Sequence, residues 1–215
     1  MAITRALIDS IAAQPGGDTT IVSNSVDTSS YKGIVAVCKH EGAAADITAT
    51  DNKGSGAYTI LTPVNHSNSD LNCTLCYATI GTPGTGTIVT ITLSGSRSFR
   101  QLLLYGINYD GTGFSLNAQS SAQGTSVDHD AGSLTTSAAS VSIGYVGRYT
   151  SMTATPSAGW GEDYDDNYQY GMSRTDASAG TFDPAATATN GAAWVAIAAS
   201  FIELGTGVPI AWLRA

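Results

Sequence analysis

The sequence predicts an all-β chain: a single jelly-roll-like antiparallel β-sandwich with a short arm before it and a short tail after it. Three observations carry the prediction. Hydrophobic residues make up 42% of the 215 residues, enough for a sizeable core, while charged residues are 12%, about half the usual quarter. The remaining polarity lies in Ser, Thr, Gly and Asn, a composition suited to short strands joined by tight turns. Strand-like runs also recur about every ten residues, punctuated by Gly, Pro, Asn and Asp.

Taken in order, residues 1–17 form the arm. Ala6, Leu7, Ile8, Ile11 and Ala12 fit one short amphipathic helix, which Pro15-Gly16-Gly17 would stop. Residues 18–204 form the sandwich. Its first β-rich run is 19–26, followed by 32–40, where Ile34, Val35, Val37 and Cys38 make a largely apolar buried strand. Residues 45–49 lead into the turn Asp51-Asn52-Lys53-Gly54-Ser55-Gly56, and 57–62 resume a strand that Pro63 closes.

Residues 65–70 read as an exposed loop. In 71–80, Leu71, Cys73, Leu75 and Tyr77 alternate with Asn72 and Thr74. After the turn Gly81-Thr82-Pro83-Gly84, residues 87–93 alternate Thr with Ile88/Val89, Ile91 and Leu93, and the short connection predicts a hairpin with 71–80.

Residues 99–109 are the next apolar strand, and 119–131 read as a polar surface loop. Strands follow at 132–137, at 141–149 and at 170–174. Residues 192–204 fit a terminal strand, although Trp194, Ile197, Ala198 and Phe201 also fit helical spacing. The tail, 205–215, carries Ile210, Trp212 and Leu213. No repeat with a period of 20–50 residues and no long linker is present, so one domain is expected.

Charge and motif content exclude several function classes. Residues 1–100 hold seven acids and six bases, and residues 101–215 ten acids and three bases, for a formal net charge of −8. No Lys/Arg cluster exists to attract a phosphate backbone, so no nucleic-acid partner is expected. No apolar run reaches the roughly 18 residues of a membrane span, so no membrane insertion is expected.

Three cysteines, Cys38, Cys73 and Cys76, are a poor start for a disulfide framework. The pair Cys73/Cys76 sits in a strand, where residues three apart face opposite ways, so buried thiols are expected rather than a metal or redox site. The first 14 residues, with Asp9 interrupting a short apolar stretch, do not read as a secretory signal. The motifs G-x-S-x-G, H-E-x-x-H and a phosphate-binding Gly loop with Lys-Ser/Thr are absent, so neither catalytic residues nor a cofactor nor a metal is expected. His40, His66 and His129 are scattered, and Asp128-His129-Asp130 reads as an exposed polar tip.

One segment stands out. Trp160, Glu162, Asp163, Tyr164, Asp165, Asp166, Asn167, Tyr168 and Tyr170 fall within eleven residues. Trp160, Tyr164 and Tyr168 could stack on sugar rings, with Glu162 and Asp166 accepting hydroxyl hydrogen bonds. The alternatives are a Ca²⁺ loop, which does not fit EF-hand spacing, and a solvated acidic loop anchored by Trp160 or Tyr164.

A set of ordered motifs carries a resemblance. The turn at 47–59, the aromatic strand Leu75-Cys76-Tyr77, the Thr-rich strand 87–95, the apolar strand 102–106 and the strand 192–201 occur in that order. Over roughly residues 30–204 this resembles the β-sandwich domains of tailed-phage virion surface proteins and of secreted bacterial proteins. The resemblance implies a non-enzymatic structural protein on the virion, a capsid decoration or tail appendage, made in the host cytoplasm.

It also implies other virion subunits as partners and a symmetric homo-oligomer. Leu7, Ile8 and Ile11 of the arm and Ile210, Trp212 and Leu213 of the tail would attach it to neighbours by burying apolar area. The alternative implied is a carbohydrate-binding module that recognises host surface glycans.

Overall fold

In residues 33–38 and 140–147 every side chain is small or apolar, and a strand with that pattern needs cover on both faces. The computed structural model, which describes residues 3–205, provides that cover in four layers of antiparallel strands, with no helix among the described residues. The fold is all-β and sandwich-like.

Residues up to 108 supply β1 (Thr4–Gln14), β2 (Asp18–Val22), β3 (Gly33–Glu41), β4 (Ile47–Asp51), β5 (Thr59–Ile60), β6 (Val64–Asn65), β7 (Leu71–Thr79) and β8 (Val89–Asn108). One sheet runs β1-β8-β3-β7-β5, with β6 also on β7, and the first part of β8 lies between β2 and β4.

The second half supplies β9 (Gly113–Gly124), β10 (Asp128–Asp130), β11 (Leu134–Thr136), β12 (Ser140–Arg148), β13 (Ala154–Pro156) and β14 (Gly161–Asp165). It continues with β15 (Gln169–Asp176), β16 (Gly180–Phe182), β17 (Ala185–Ala188) and β18 (Trp194–Leu204). Its main sheet runs β9-β18-β12-β15-β14, and its outer layer holds β10-β17-β13 and the pair β11-β16. Both halves follow one connectivity. In each main sheet the first strand pairs with the last, the last with the doubly covered centre, and the centre with the strand leading to the far edge. In each outer layer a late segment (early β8, or β17) sits between two earlier strands.

The period-2 alternation of each central strand distributes its side chains between cores. Val35 and Val37 of β3, Leu103, Tyr105 and Ile107 of β8, and Leu71, Cys73 and Leu75 of β7 face one way. They meet Val141, Ile143 and Tyr145 of β12 and Val195, Ile197, Ala199 and Phe201 of β18 in the main core. The other face of β3 (Ile34, Ala36, Cys38) packs with Ile21, Ile47, Val89 and Ile91 of the first outer layer. The other face of the second sheet (Val146, Trp194, Ala196, Ala198) packs with Ala131, Leu134 and Ala186. Cys73 and Cys76 lie in different cores, as the strand geometry requires, and all three cysteines are free and buried. Burial pushes the Cys38 thiol up to about 12.

Several expectations are corrected. The arm is not a helix: β1 pairs antiparallel with β8 from Thr4↔Asn108 to Gln14↔Arg100. Its apolar residues fit either period over so short a run, and the open edge of β8 offers backbone partners that an isolated helix lacks. Leu7 packs against the main core, and Ile8 and Ile11 against the first outer core of the same chain. The predicted hairpin between 71–80 and 87–93 is absent, because β3 lies between β7 and β8. Residues 87–93 and 99–109 are not separate strands: β8 runs through both and turns at Phe99, whose φ is 45°. The predicted loop 119–131 is largely β9 and β10. The tail residues Ile210, Trp212 and Leu213 lie outside the described residues.

The sheets approach closely where side chains are missing. A Cβ on Gly171 would sit 2.5 Å from Leu103 Cδ1 and 2.8 Å from Tyr105 Oη. Gly171→Ala is therefore expected to destabilise the fold by about 1–3 kcal/mol through overpacking, measured by urea unfolding. An unchanged midpoint would mean that the two main sheets do not meet there.

Candidate functional site

The acidic-aromatic segment folds as β14, a turn and the start of β15, and it lies across one end of the main core. β14 pairs with β15 from Gly161↔Ser173 to Asp165↔Tyr170. The turn places Asn167 at φ 71°, a conformation Asn tolerates better than most residues. Asp166 takes hydrogen bonds from the backbone N–H of Tyr168 (2.9 Å) and Gln169 (2.8 Å), and its other oxygen from Gln101 Nε2 (3.0 Å).

Most of the segment points inward. Trp160 is buried in the second outer core, with the Arg174 guanidinium 5.8 Å from its ring centre. Tyr164 is half-buried against the main core. Asp163 accepts a hydrogen bond from the Ser173 hydroxyl. Asp165 pairs at 2.6 Å with Arg148, which is fully buried and also donates to Met152 O and Gln169 O. Glu162 is exposed, with the Tyr170 hydroxyl 3.4 Å from it. Of the five predicted glycan contacts, Tyr168 alone presents a large exposed ring, at 40%. Among the described residues, no group of three or more potential ligands is placed to hold a metal ion.

Around Tyr168 the structure gathers residues from three strands, β3, β8 and β12. Lys39 of β3 is buried, with Nζ 3.2 Å from Glu41 and 5.9 Å from the Tyr168 ring centre. Burial pushes its ammonium below the ordinary lysine range, and the Glu41 carboxylate opposes that shift. A Cβ on Gly147 would lie 3.0 Å from Lys39 Cγ, so β12 and β3 approach closely here. Two residues beyond Gly147, past the end of β12, is Tyr149, 50% exposed; the neighbouring Arg148 N–H donates to Tyr168 O at 2.9 Å. Ser98 pairs with Glu41 and Gln101 with Lys39, which puts Phe99, 42% exposed, at the same end.

The mouth of the main core thus carries three exposed aromatic rings: Phe99, Tyr149 and Tyr168. Phe99 and Tyr149 escaped sequence reading because neither stands near an acidic cluster; sheet pairing alone puts them at the same end as Tyr168.

The histidines are buried instead of forming surface chemistry. His129 lies in β10 at 0% exposure, 5.3 Å from the Trp194 ring, and neither ring nitrogen has a hydrogen-bond partner among the described residues. The predicted exposed tip is corrected accordingly: alternation turns His129 inward and leaves Asp128 outside. Burial, with Arg148 nearby, holds His129 down to about 4; burial, with Arg97 and Lys39, does the same for His40.

On the far side of the main core, Thr62 faces Gln119, Ser120, Ser121 and Ile197 across a shallow cleft beside β9. The fold and these surfaces define an all-β sandwich protein with an aromatic mouth at one end. No protein-family model, curated protein or solved structure matches the chain.

Two outcomes are expected. Arg148→Met strands Asp165 and should cost about 3–5 kcal/mol in urea unfolding, with much of it recovered when Asp165→Leu is added; a neutral single variant would contradict the buried pair. Acid should also destabilise the fold. Both histidines bind protons near 4 when folded and near 6.5 when unfolded. Their contribution is therefore complete above pH 6.5 and is withdrawn as pH falls toward 4, by up to roughly 3 kcal/mol each. The melting temperature should fall across that window, and His129→Leu should flatten the fall; identical slopes would refute the assignment.

Proposed function

We propose that this chain is a non-enzymatic structural subunit on the surface of a tailed-phage virion, a jelly-roll-like capsid decoration or tail appendage made in the host cytoplasm. It joins neighbouring subunits in a symmetric homo-oligomer. The ordered motifs support the phage setting, and one structural observation supports assembly: the open edge of β9. Among the described residues, β9 pairs only with β18, and its twelve residues, GFSLNAQSSAQG, include no charge and no proline. Edge strands that are not meant to pair usually carry such blocking residues.

The tail end of β9 is tied down by the His66 ring, whose Nε2 lies 3.1 Å from Gly124 O, which leaves 113–123 as its open stretch; the corresponding first strand of the other half, β1, is held as well. Gln169 Nε2 donates to Ile11 O, and Asp9 binds both the backbone and the side-chain amide of Asn24. β18 ends beside the head of β9, where Leu204 pairs with Gly113 and accepts a hydrogen bond from Thr112 N. The described chain thus ends at Gly205, beside the head of β9.

Gln119 and Ser121 are exposed on β9. The double variant Gln119→Lys/Ser121→Lys, and separately deletion of residues 205–215, should reduce occupancy on phage particles and shift the purified chain from oligomer to monomer. Native mass measurement reads the second effect. A wild-type chain that is monomeric and absent from particles would overturn the reading, as would unchanged occupancy in both variants.

A further inference from the structure

We propose that the aromatic mouth is a saccharide-binding site, with sugar rings stacking on Phe99, Tyr149 and Tyr168. The inference rests on the described side chains and stands apart from the virion reading. These residues are three of the six large hydrophobic side chains exposed on the described surface, and β-sheet pairing brings them to one end. A sugar offers an apolar C–H face to such rings, and its hydroxyls exchange hydrogen bonds with carboxylates and amides. The mouth supplies an amide partner, the exposed Asn167 side chain next to Tyr168.

The backbone supplies an independent reason. Phe99 sits at φ 45°, where a bulky side chain is a true outlier. Such strain persists where the surroundings impose it, and it gathers at ligand-binding sites. Burying the ring would offset the strain, yet the ring is 42% exposed. β8 therefore holds an aromatic side chain partly outward at an energetic cost.

Charge selects the ligand class. Aromatic platforms that bind single-stranded nucleic acid lie in a positively charged groove, and the cations near this mouth are already engaged. Lys39 is paired with Glu41. Arg97 donates to the carbonyls of Ala43, Ala44 and Ser96, and Arg100 to those of Thr20 and Gly16. With a net charge of −8, the chain disfavours polyanions, so the expected ligand is a neutral saccharide.

The test applies the full chain to an array of neutral and acidic oligosaccharides, then titrates the best neutral binder by calorimetry. Tyr149→Ala and Tyr168→Ala should each weaken binding about tenfold with the melting temperature unchanged. Phe99→Gly separates binding from folding: it should weaken binding while the melting temperature holds or rises, because glycine adopts that φ freely. The site is refuted if no neutral saccharide binds at millimolar concentration, or if only polyanions bind. It is also refuted if all three variants bind like the wild type, or if they instead dissociate an oligomer, which would make the mouth a contact between copies. None of these results bears on particle occupancy, which tests the virion reading separately.

Discussion

Everything in this molecule depends on two β-sheets packing face to face through one shared apolar layer. Val35, Val37, Leu103 and Tyr105 on one side and Val141, Ile143, Val195 and Ile197 on the other are all at or near zero exposure. At roughly 25 cal/mol per Å² of apolar surface removed from water, this layer is the largest single source of cohesion between the halves. It also dictates composition. β3 and β12 are covered on both faces, so they have no room for the polar alternation of an ordinary antiparallel strand. Glycines 33, 147 and 171 sit where a side chain of the opposing sheet would press on a Cβ.

The polar groups at the end of this layer follow from the same constraint. A buried cation such as Arg148 needs a partner, and Asp165 supplies it from the far strand of the same sheet. Lys39 and Gln101, from the other sheet, meet Glu41 and Asp166. The acidic run of 162–166 is therefore largely a set of internal acceptors that closes the end of the core, and this leaves the neighbouring aromatic rings as the features presented to solvent.

The sequence made the doubly covered strands legible through the apolar runs within 32–40 and 192–204, although the second also fits helical spacing and only its pairing with β9 and β12 decides for a strand. It also made the opposite facing of Cys73 and Cys76 legible. It concealed β9, whose Ser, Gln and Asn carry no strand signal: that segment is a strand because β18 pairs with it residue by residue. It concealed the register of β7 and β8, since a short connection suggests a hairpin and only the insertion of β3 contradicts it. The orientation of the acidic segment was hidden for a similar reason. Asp165, Asp166 and Asp163 find partners at Arg148, Gln101 and Ser173, and local spacing does not report contacts of that range.

One difference between the two halves has a mechanical meaning. In the first, β8 passes without interruption from the outer layer into the main sheet, so one covalent strand belongs to two layers and neither can detach without tearing the other. In the second, the corresponding path is cut between β17 and β18 by residues 189–193, and its outer layer of short strands is held by side-chain packing through Ala131, Leu134 and Ala186. The outer layer of the first half is thus covalently continuous with its main sheet through a single strand, whereas that of the second is joined to its sheet by packing and by a loop.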